Sequence, residues 1–290
     1  GLELDWMKIL RDDAIKQFHQ DGFPDKSVEE WNVNSFRGLM DIFYNTQQEN
    51  SYEIDLSSIE KKDPDCLVRV IFNNGKIINI EHDELPEGVK VNSLNFFIKN
   101  NPDFLKGKIK PANEYSESRL SNIIDSRPQS IVALNAAFHE DGAIVNIDKN
   151  IEVPGYIELM HIGDYTDNTM KHIRSVIFLD KGSKCEVIEN IQSHKNNNMV
   201  FTSHVADIHL CEGATLSYNR FISGNSNNIH INNVHAQLDK NSKFISNSLI
   251  NSEGQARNEV RVNLLGQGSS SNINVLMMGA KKSMHETLTK

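Results

Sequence analysis

The clearest pattern of hydrophobic and polar positions is a turn motif that returns four times between residues 172 and 279. Each copy begins with a leucine, continues through a polar turn and runs into an alternating segment. The copies occupy residues 179–185, 210–216, 238–244 and 265–271, and their lead leucines are separated by 31, 28 and 27 residues. A near-constant period of this length is typical of folds built from stacked repeats. The sequence therefore predicts a series of coils that share one core.

Apolar residues alternate with polar ones before and after each turn, which is typical of β-strands with one buried face. Val, Ile, Thr, Ser and Asn dominate these segments without a 3.6-residue periodicity, so a helix is not the repeating unit. When the copies are superposed, one apolar position coincides in all four. We predict a continuous buried ladder there, with Ile191, Ile222, Ile250 and Met277 as its members.

The turn places Gly182, Gly213 or Asn241 at its fourth position in the first three copies. Glycine and asparagine tolerate the positive φ that a tight corner requires. Two short strands and one such corner per coil predict a flattened parallel β-helix. General chirality rules make the expected hand right-handed.

The region before the repeats predicts mainly helices and one hairpin. Apolar positions predict a helix over residues 6–18, a second helix over 36–44 and a short helix over 117–124. The polar segment 46–65 predicts a mobile loop, and 67–80 predicts a hairpin that turns at an Asn-Asn-Gly sequence.

The β region is expected to start near residue 131. Segments 131–138, 143–147 and 157–162 are rich in apolar residues and predict strands. The predicted organisation is an N-terminal helical domain with a short hairpin over residues 1–130, followed by a β-helix core over 131–290.

Composition and charge narrow the possible functions. A formal net charge of −9 and an isoelectric point near 5.7 argue against nucleic acid or an anionic membrane as a partner. No apolar run approaches the ~20 residues of a membrane helix, and no signal peptide opens the chain, so a soluble protein is expected. The three cysteines, Cys66, Cys185 and Cys211, have no CxxC spacing, which fits a reducing compartment.

Two segments resemble a known family. Gly-Phe-Pro-Asp-Lys-Ser-Val-Glu-Glu-Trp at 22–31 and Leu-Asn-Ala-Ala-Phe-His-Glu-Asp-Gly-Ala at 134–143 are similar to signatures of the SufB/SufD family, and within it of the SufD branch. These proteins are scaffold subunits of the Suf machinery for iron–sulfur cluster assembly. The same order of family positions continues through His161, His172, Arg174, the Gly182-Ser183 turn, Glu189 and Arg257.

The resemblance implies a right-handed parallel β-helix after a helical N-terminal domain. It also implies a non-catalytic scaffold that works with SufB-like and SufC-like (ATPase) subunits, where the iron–sulfur cluster is held transiently. The SufB branch carries a functional cysteine just after the position of Arg257, and Asn258, Glu259 and Val260 supply no thiol here. This difference favours the SufD branch. The implied location is the bacterial cytoplasm, with a plastid-type organelle as the alternative.

The chain ends at Lys290, before the family segment that closes the β-helix, carries the histidine of the cluster site and supplies the SufC-binding helices. We therefore expect a C-terminally truncated chain that binds no cluster stably. A last coil without a cover also predicts a homodimer through the C-terminal end of the β-helix.

Two motif-like stretches do not predict a site. Gly266-x-Gly268-x-x-Ser271 lacks the third glycine of a dinucleotide fingerprint, and a repeat corner explains it better. His285-Glu286 begins like a zinc-protease motif, but Thr289 stands where the second histidine ligand belongs. We expect His285 to line the interior or a partner surface.

The remaining candidates are single residues or pairs. His209 and Cys211 supply two ligands on one strand face, too few for a filled transition-metal site. Cys185 is expected to be a small core residue. His230 and His235 are separated by an odd number of positions and are expected on opposite faces of a strand.

The alternative function is a β-helix carbohydrate-active enzyme, a polysaccharide lyase or hydrolase. Such an enzyme needs clustered carboxylates on an exposed sheet face. The acids within the repeats lie mostly at corners, so no catalytic, cofactor-binding or metal-binding residue is assigned and a non-enzyme is expected. These acids are Asp180, Glu186, Glu189, Glu212, Asp239, Glu253 and Glu259.

Overall fold

Strands dominate the computed structural model, which describes residues 4–31, 56–73, 75–115, 119–120, 123–124, 126–163, 168–192, 198–280 and 282–290. The α-helices in these ranges are α1 (Asp5–Asp21), α2 (Leu94–Asn100) and α3 (Ser130–Phe138). The strands are β1 (Cys66–Asn73), β2 (Lys76–His82), β3 (Val89–Ser93), β4 (Arg119–Leu120), β5 (Ile123–Ile124), β6 (Gly142–Ile147), β7 (Tyr156–Ile162), β8 (Thr169–Leu179), β9 (Lys184–Gln192), β10 (Val200–Leu210), β11 (Thr215–Gly224), β12 (Asn228–Leu238), β13 (Lys243–Ser252), β14 (Gln255–Leu264), β15 (Ser270–Gly279) and β16 (Met284–Thr289).

Two seven-stranded sheets enclose a common core and form a parallel β-solenoid of about five coils. One sheet, called the covered sheet below, runs β3-β6-β8-β10-β12-β14-β16. The other, called the open sheet, runs β2-β1-β7-β9-β11-β13-β15. Each coil contributes one strand to each sheet. The predicted fold, a mainly β parallel solenoid with two strands per coil after a small helical region, is confirmed, and its hand stays a prediction.

The predicted apolar ladder is present in the open sheet. Ile222 pairs with Ile191 on one side and with Ile250 on the other, and Ile250 pairs with Met277. The three isoleucines are at most 3% exposed. Burial of one such side chain contributes roughly 2 kcal/mol, so the ladder stabilises the stacking of successive coils. Met277 is only half-buried, because β15 is the outermost described strand of its sheet.

The corners have the predicted backbone geometry. Gly182, Gly213 and Asn241 have φ values of 69°, 72° and 58°. The corners are stacked, since the Gly182 amide donates to the Glu212 carbonyl of the next coil. Asn150, with φ of 61°, forms an earlier corner of the same kind, before the first copy of the turn motif.

The fourth copy of the turn differs from the prediction by one residue. Leu264, rather than Leu265, pairs with Leu238, whereas Ser270 after the turn keeps the offset of 27 residues from Lys243. The corner therefore contains one extra residue. Leu265 takes it up, donates its amide to the Leu238 carbonyl and leaves its side chain 63% exposed.

The prediction of a strand over residues 131–138 is wrong, because these residues form the helix α3. This helix lies between α1 and the covered sheet, and its residues from Ser130 to Ala136 are all buried. A fully buried helix shows an unbroken apolar run, which periodicity cannot distinguish from a buried strand. The Asn135 amide group fixes the docking, since it donates to the backbone carbonyls of Ile173 and Ser203 on the covered sheet.

Other predictions for the first half of the chain have mixed outcomes. The helix over 6–18 is confirmed as α1, the hairpin over 67–80 as β1 and β2, and the strands over 143–147 and 157–162 as β6 and β7. The helix predicted over 117–124 is wrong in its described part, where β4 and β5 pair in an antiparallel manner. The helix over 36–44 and the loop segment 46–55 lie outside the described residues.

The N-terminal segment contributes to the solenoid and also covers it. Strands β1 and β3 pair with strands of the two sheets, and α1 packs on α3, which packs on β8 and β10. Val28, Trp31 and Ile131 form a shared apolar cluster with Phe201 of the covered sheet. Among the described residues, no helix has the length and apolar character needed to cross a bilayer.

Candidate functional site

The lumen of the solenoid is apolar near the corners and becomes polar further along the strands. On β9, Glu189 occupies the inward position between Val187 and Ile191, and on β11 Arg220 occupies the position beside it. Both side chains are at most 1% exposed. Together with His161 of β7, His204 of β10 and Tyr218 of β11, they form a group that we call the lumenal cluster.

One oxygen of the Glu189 carboxylate is fully hydrogen-bonded. Its Oε2 accepts from Arg220 Nε at 3.0 Å and from the Tyr218 hydroxyl. Arg220 Nη2 in turn donates to the Tyr218 hydroxyl oxygen at 2.8 Å, and Arg220 Nη1 donates to Asn258 Oδ1 at 3.2 Å. A buried guanidinium is thus paired with a carboxylate and with neutral acceptors, as a buried charge requires.

The other oxygen of the same carboxylate faces two imidazoles. Glu189 Oε1 lies 3.0 Å from His204 Nε2 and 3.4 Å from His161 Nε2. Apart from these mutual contacts, the three atoms have no hydrogen-bond partner among the described residues. The His161 ring stacks on Phe72, with ring centroids 4.3 Å apart, which fixes its plane.

Burial and charge set the protonation states of the cluster. Burial alone raises the pKa of the Glu189 carboxyl, but His204 and Arg220 outweigh it and hold that pKa well below its usual value. Burial lowers the pKa of His204 to about 4, although Glu189 opposes this shift. At neutral pH the Glu189 side chain is therefore a carboxylate. Burial also raises the pKa of Tyr218 well above its usual value, so its hydroxyl remains a donor.

The donor set can hold a cation. Among the described residues, His161, Glu189 and His204 form the group whose potential ligand atoms converge, all within 4.8 Å of one another. Two imidazoles and one carboxylate are ligands of zinc and of non-haem iron(II) in proteins. The sequence named no metal ligand, so this arrangement was not anticipated.

The glycine-rich stretch at 266–271 is a repeat corner, as the sequence indicated. Gly268 has φ of 78°, and a Cβ built on Gly266 would lie 2.1 Å from the backbone nitrogen of Lys240. Both glycines are therefore required by the tight corner. A strand, β15, follows instead of a helix, so no helix N-terminus is available for phosphate.

His285 and Glu286 lie on β16 and point to different partners. His285 Nε2 lies 3.0 Å from the Ser252 carbonyl oxygen, and Glu286 pairs with Arg257 Nη1 at 2.5 Å. Neither side chain shares a ligand site with Thr289.

His209 and Cys211 do not form a common site. His209 Nε2 is 2.9 Å from the Lys108 carbonyl oxygen, and burial raises the pKa of the Cys211 thiol to about 11. Cys185 is buried in the main apolar cluster of the lumen, as expected for a core residue.

His230 and His235 face opposite sides of β12, as predicted. His230 lies on the lumenal side, close to Gly224, and burial lowers its pKa to about 4. His235 lies on the outer side, where its Nε2 is 3.3 Å from the side-chain amide of Gln129.

A second polar network lies on the outer face of the covered sheet, beneath the N-terminal segment. Arg257 donates through Nε to Glu259 Oε1 at 2.6 Å, and its guanidinium lies 3.9 Å from the centroid of the Trp31 ring. Arg261 and Lys290 both donate to the Glu30 carboxylate. The network thus joins the segment 22–31 to the late coils, two parts of the chain that carried the resemblance.

Three of the acids considered for the alternative enzyme function are paired with basic side chains in the described structure. Glu189 and Glu259 are buried in ion pairs with Arg220 and Arg257. Glu212 stands at a corner and pairs with Lys181.

Sequence reasoning missed His204, Tyr218 and Arg220 as partners of Glu189. A usable signal was present, because Glu189 and Arg220 occupy inward positions of the alternation that should be apolar. Two polar exceptions at the same position of neighbouring coils indicate a buried pair.

Comparison with known proteins gives two family matches. Residues 3–159 match the SufBD protein N-terminal region, and residues 161–290 match the family described as SUF system FeS cluster assembly, SufBD core domain. An iron-sulfur cluster assembly SufBD family protein of Arabidopsis thaliana is 23% identical over 167 residues, which cover 57% of this chain and 33% of the relative. The match therefore spans about a third of the length of that curated relative.

Proposed function

Because the chain belongs to the SufB/SufD family of the SUF iron–sulfur cluster assembly system, we propose that it is a non-catalytic, SufD-like scaffold subunit of that system. The observation that carries the proposal is the match of both family regions, in order, over residues 3–159 and 161–290. A parallel solenoid with a covering N-terminal segment supplies a rigid body on which partners can assemble.

The state of the cysteines supports a role without a stably bound cluster. Cluster ligation requires thiolates, and clusters are usually held by several of them. Burial raises the pKa of Cys66 and of Cys211 to about 11, and it raises that of Cys185 further. Burial therefore disfavours the thiolate form of all three cysteines, and they lie on different strands or corners. The cluster is a transient cargo of the complex in this proposal.

The position after Arg257 supports the SufD branch over the SufB branch. Asn258 and Glu259 follow it, both are buried, and both are bonded to arginines of the two polar networks. These contacts give the two positions a structural role. A cysteine there would remove an acceptor from a buried guanidinium, which is destabilising.

We propose SufB-like and SufC-like (ATPase) subunits as partners. Strands β15 and β16 are the outermost described strands of the two sheets at one end, and sheet edges pair readily with another chain. Leu276 and Met278 of β15 are exposed there. A SufB-like subunit docks at this end in the proposal, and a second copy of the chain is the alternative occupant. The bacterial cytoplasm or a plastid is the proposed location, and the plant origin of the relative fits the second.

Copurification tests the proposed partnership. The chain is coexpressed with the SufB-like and SufC-like subunits of its own organism, and the complexes are separated by size-exclusion chromatography with light scattering. We expect a complex that contains the SufB-like subunit. Leu276→Lys, on the outer face of β15, should weaken the complex at least tenfold.

A matched control lies in the same row of the open sheet. Phe221 pairs with Leu249, which pairs with Leu276, so Phe221→Lys places the same charge two strands away from the edge. This variant should leave the complex intact. A wild-type chain that binds neither partner, or equal effects of the two variants, would overturn the docking proposal.

A further inference from the structure

We propose that the lumenal cluster is a resident site for one divalent transition-metal ion, with His161, Glu189 and His204 as its ligands. The site is a property of this chain alone and does not depend on its role in cluster assembly. The strands that carry the ligands come from both sheets, β7 and β9 from the open sheet and β10 from the covered sheet. Three successive coils of the fold therefore bring the ligands together.

Unsatisfied ligand atoms are the observation that points to a cation. Native structures leave few buried polar side-chain atoms without a partner, and each exception requires an explanation. Here three such atoms, Glu189 Oε1, His161 Nε2 and His204 Nε2, have no partner among the described residues except one another. All three side chains are more than nine-tenths buried. A cation among these atoms accepts a lone pair from each and satisfies all of them at once.

The two halves of the Glu189 carboxylate show that the geometry is specific. Its Oε2 is saturated by Tyr218 and Arg220, so the side chain is anchored. Its Oε1 is then directed between the two imidazole nitrogens. Phe72 stacks on His161 and restricts the rotation of that ring. Anchoring of ligands by outer partners is the usual design of a protein metal site.

The donor set selects the class of metal. Calcium and magnesium prefer six or more oxygen ligands, and copper(I) and iron–sulfur clusters prefer sulfur. Two imidazoles and a carboxylate suit zinc(II), iron(II) and cobalt(II), and three protein ligands leave a coordination position for water. The site therefore takes a divalent ion of this borderline group.

Arg220 limits the affinity of the site. Its guanidinium donates to Glu189 at 3.0 Å and repels a dication bound to the other oxygen of the carboxylate. The variant Arg220→Gln removes this repelling charge and keeps a side-chain amide as a donor for the carboxylate, so it should bind the ion more tightly. A purely structural ion pair would give no binding in either protein. Removal of a ligand therefore lowers the metal affinity, and removal of the repelling charge raises it.

Metal titration of the chelator-treated chain tests the proposal, with cobalt(II) followed by its visible absorption and zinc(II) by calorimetry. We expect one ion per chain with the absorption of a nitrogen- and oxygen-ligated site. His204→Gln and His161→Gln should each weaken binding at least tenfold, and Arg220→Gln should strengthen it about tenfold. His230→Gln removes another buried lumenal histidine and should change nothing.

Circular dichroism and the metal-induced rise in thermal midpoint control for folding. If a glutamine variant does not fold, His204→Asn replaces it, and Arg220→Gln remains an independent arm. Absence of stoichiometric binding by both the wild type and a folded Arg220→Gln variant would overturn the proposal. Binding that responds to His230→Gln as strongly as to His204→Gln would also overturn it, since the ion would then lie elsewhere.

Discussion

The outer faces of the covered sheet and the open sheet have the same alternating sequence pattern but different surroundings. On β13 of the open sheet, every second residue is exposed or half-buried, whereas on β12 of the covered sheet ten of eleven residues are buried. The difference arises because α1, α3 and the segment around Trp31 lie over the covered sheet. Alternation therefore identifies the lumenal side of both sheets, but it cannot tell which outer face is covered.

Polar residues on the two outer faces serve different purposes. On the open sheet, Asn219, Asn247 and Asn274 form a hydrogen-bonded row at the surface. On the covered sheet, Arg257 and Glu259 form a fully buried ion pair. A surface amide row exchanges its hydrogen bonds with water at little loss, whereas a buried charge without its partner is strongly destabilising.

The largest expected effect is therefore on the covered sheet. Arg257→Met removes the guanidinium that contacts Glu259, Glu286 and the Trp31 ring, and it leaves two carboxylates without this cation. We expect the free energy of unfolding to fall by about 3–5 kcal/mol. Urea denaturation measures the change. Lys243→Met, at an exposed position of the open sheet, is the control and should stay within about 0.5 kcal/mol of wild type.

The second effect is a loss of folding stability at acidic pH, and it too arises from residues on the side of the covered sheet. Burial lowers the pKa of both His139 and His172 to about 3, and β9, β11, β13 and β15 of the open sheet contain no histidine. The unfolded chain binds these protons near pH 6.5 and the folded chain does not, so stability is complete above pH 6.5 and falls as pH is lowered towards 3.

Each of these histidines should remove about 1–2 kcal/mol of stability between pH 6.5 and pH 5. Urea denaturation at a series of pH values measures the slope. His139 and His172 contribute about equally to the slope of unfolding free energy against pH. His172→Gln should therefore remove about half of their joint contribution. An unchanged slope in a folded His172→Gln variant would show that this histidine does not titrate on unfolding.

A smaller loss of stability is expected where Glu30 of the N-terminal segment contacts Arg261 and Lys290 of the late coils. Glu30→Ala removes the carboxylate that accepts from Arg261 and Lys290, part-buried groups for which about 1–3 kcal/mol is typical. Unfolding should be destabilised by that amount, with a red shift of Trp31 fluorescence in a Trp6→Phe background. Glu253→Ala, on another acid of the late coils, should produce neither change.

The smallest effect is expected in the amide row of the open sheet. Asn247→Ala breaks hydrogen bonds to Asn219 and Asn274, but water reaches this surface. We expect a loss of about 0.5 kcal/mol or less in urea denaturation. A loss as large as that of Arg257→Met would remove the distinction between the two faces.

The sequence predicted those features of the fold that are local and periodic. The ladder from Ile191 to Met277 and the corners at Gly182, Gly213 and Asn241 follow from one repeating pattern, so superposing the copies was enough. The helix α3 was mistaken for a strand, because burial on all sides removes the periodicity that distinguishes the two. The extra residue at Leu265 was missed because a one-residue insertion leaves the turn motif intact.

The candidate site could be predicted only in part. His161 and Glu189 were named through the resemblance, but their contact with His204 depends on how the two sheets are aligned across the lumen. Arg220 lies beside Glu189 because neighbouring coils stack in register, which the repeat alone implied. The contact of Glu30 with Arg261 joins residues 231 positions apart and has no local signal.

Reconstitution of cluster assembly tests the proposed role most directly. The SufB-like and SufC-like subunits are supplied anaerobically with iron, a sulfur donor and ATP, with or without this chain, and cluster is measured by visible absorption and by transfer to an apo-acceptor. The chain alone should form no cluster that survives desalting, and its addition should raise cluster formation on the other subunits. A stoichiometric, stable cluster on the chain alone, or no effect of its addition, would contradict the proposed scaffold function.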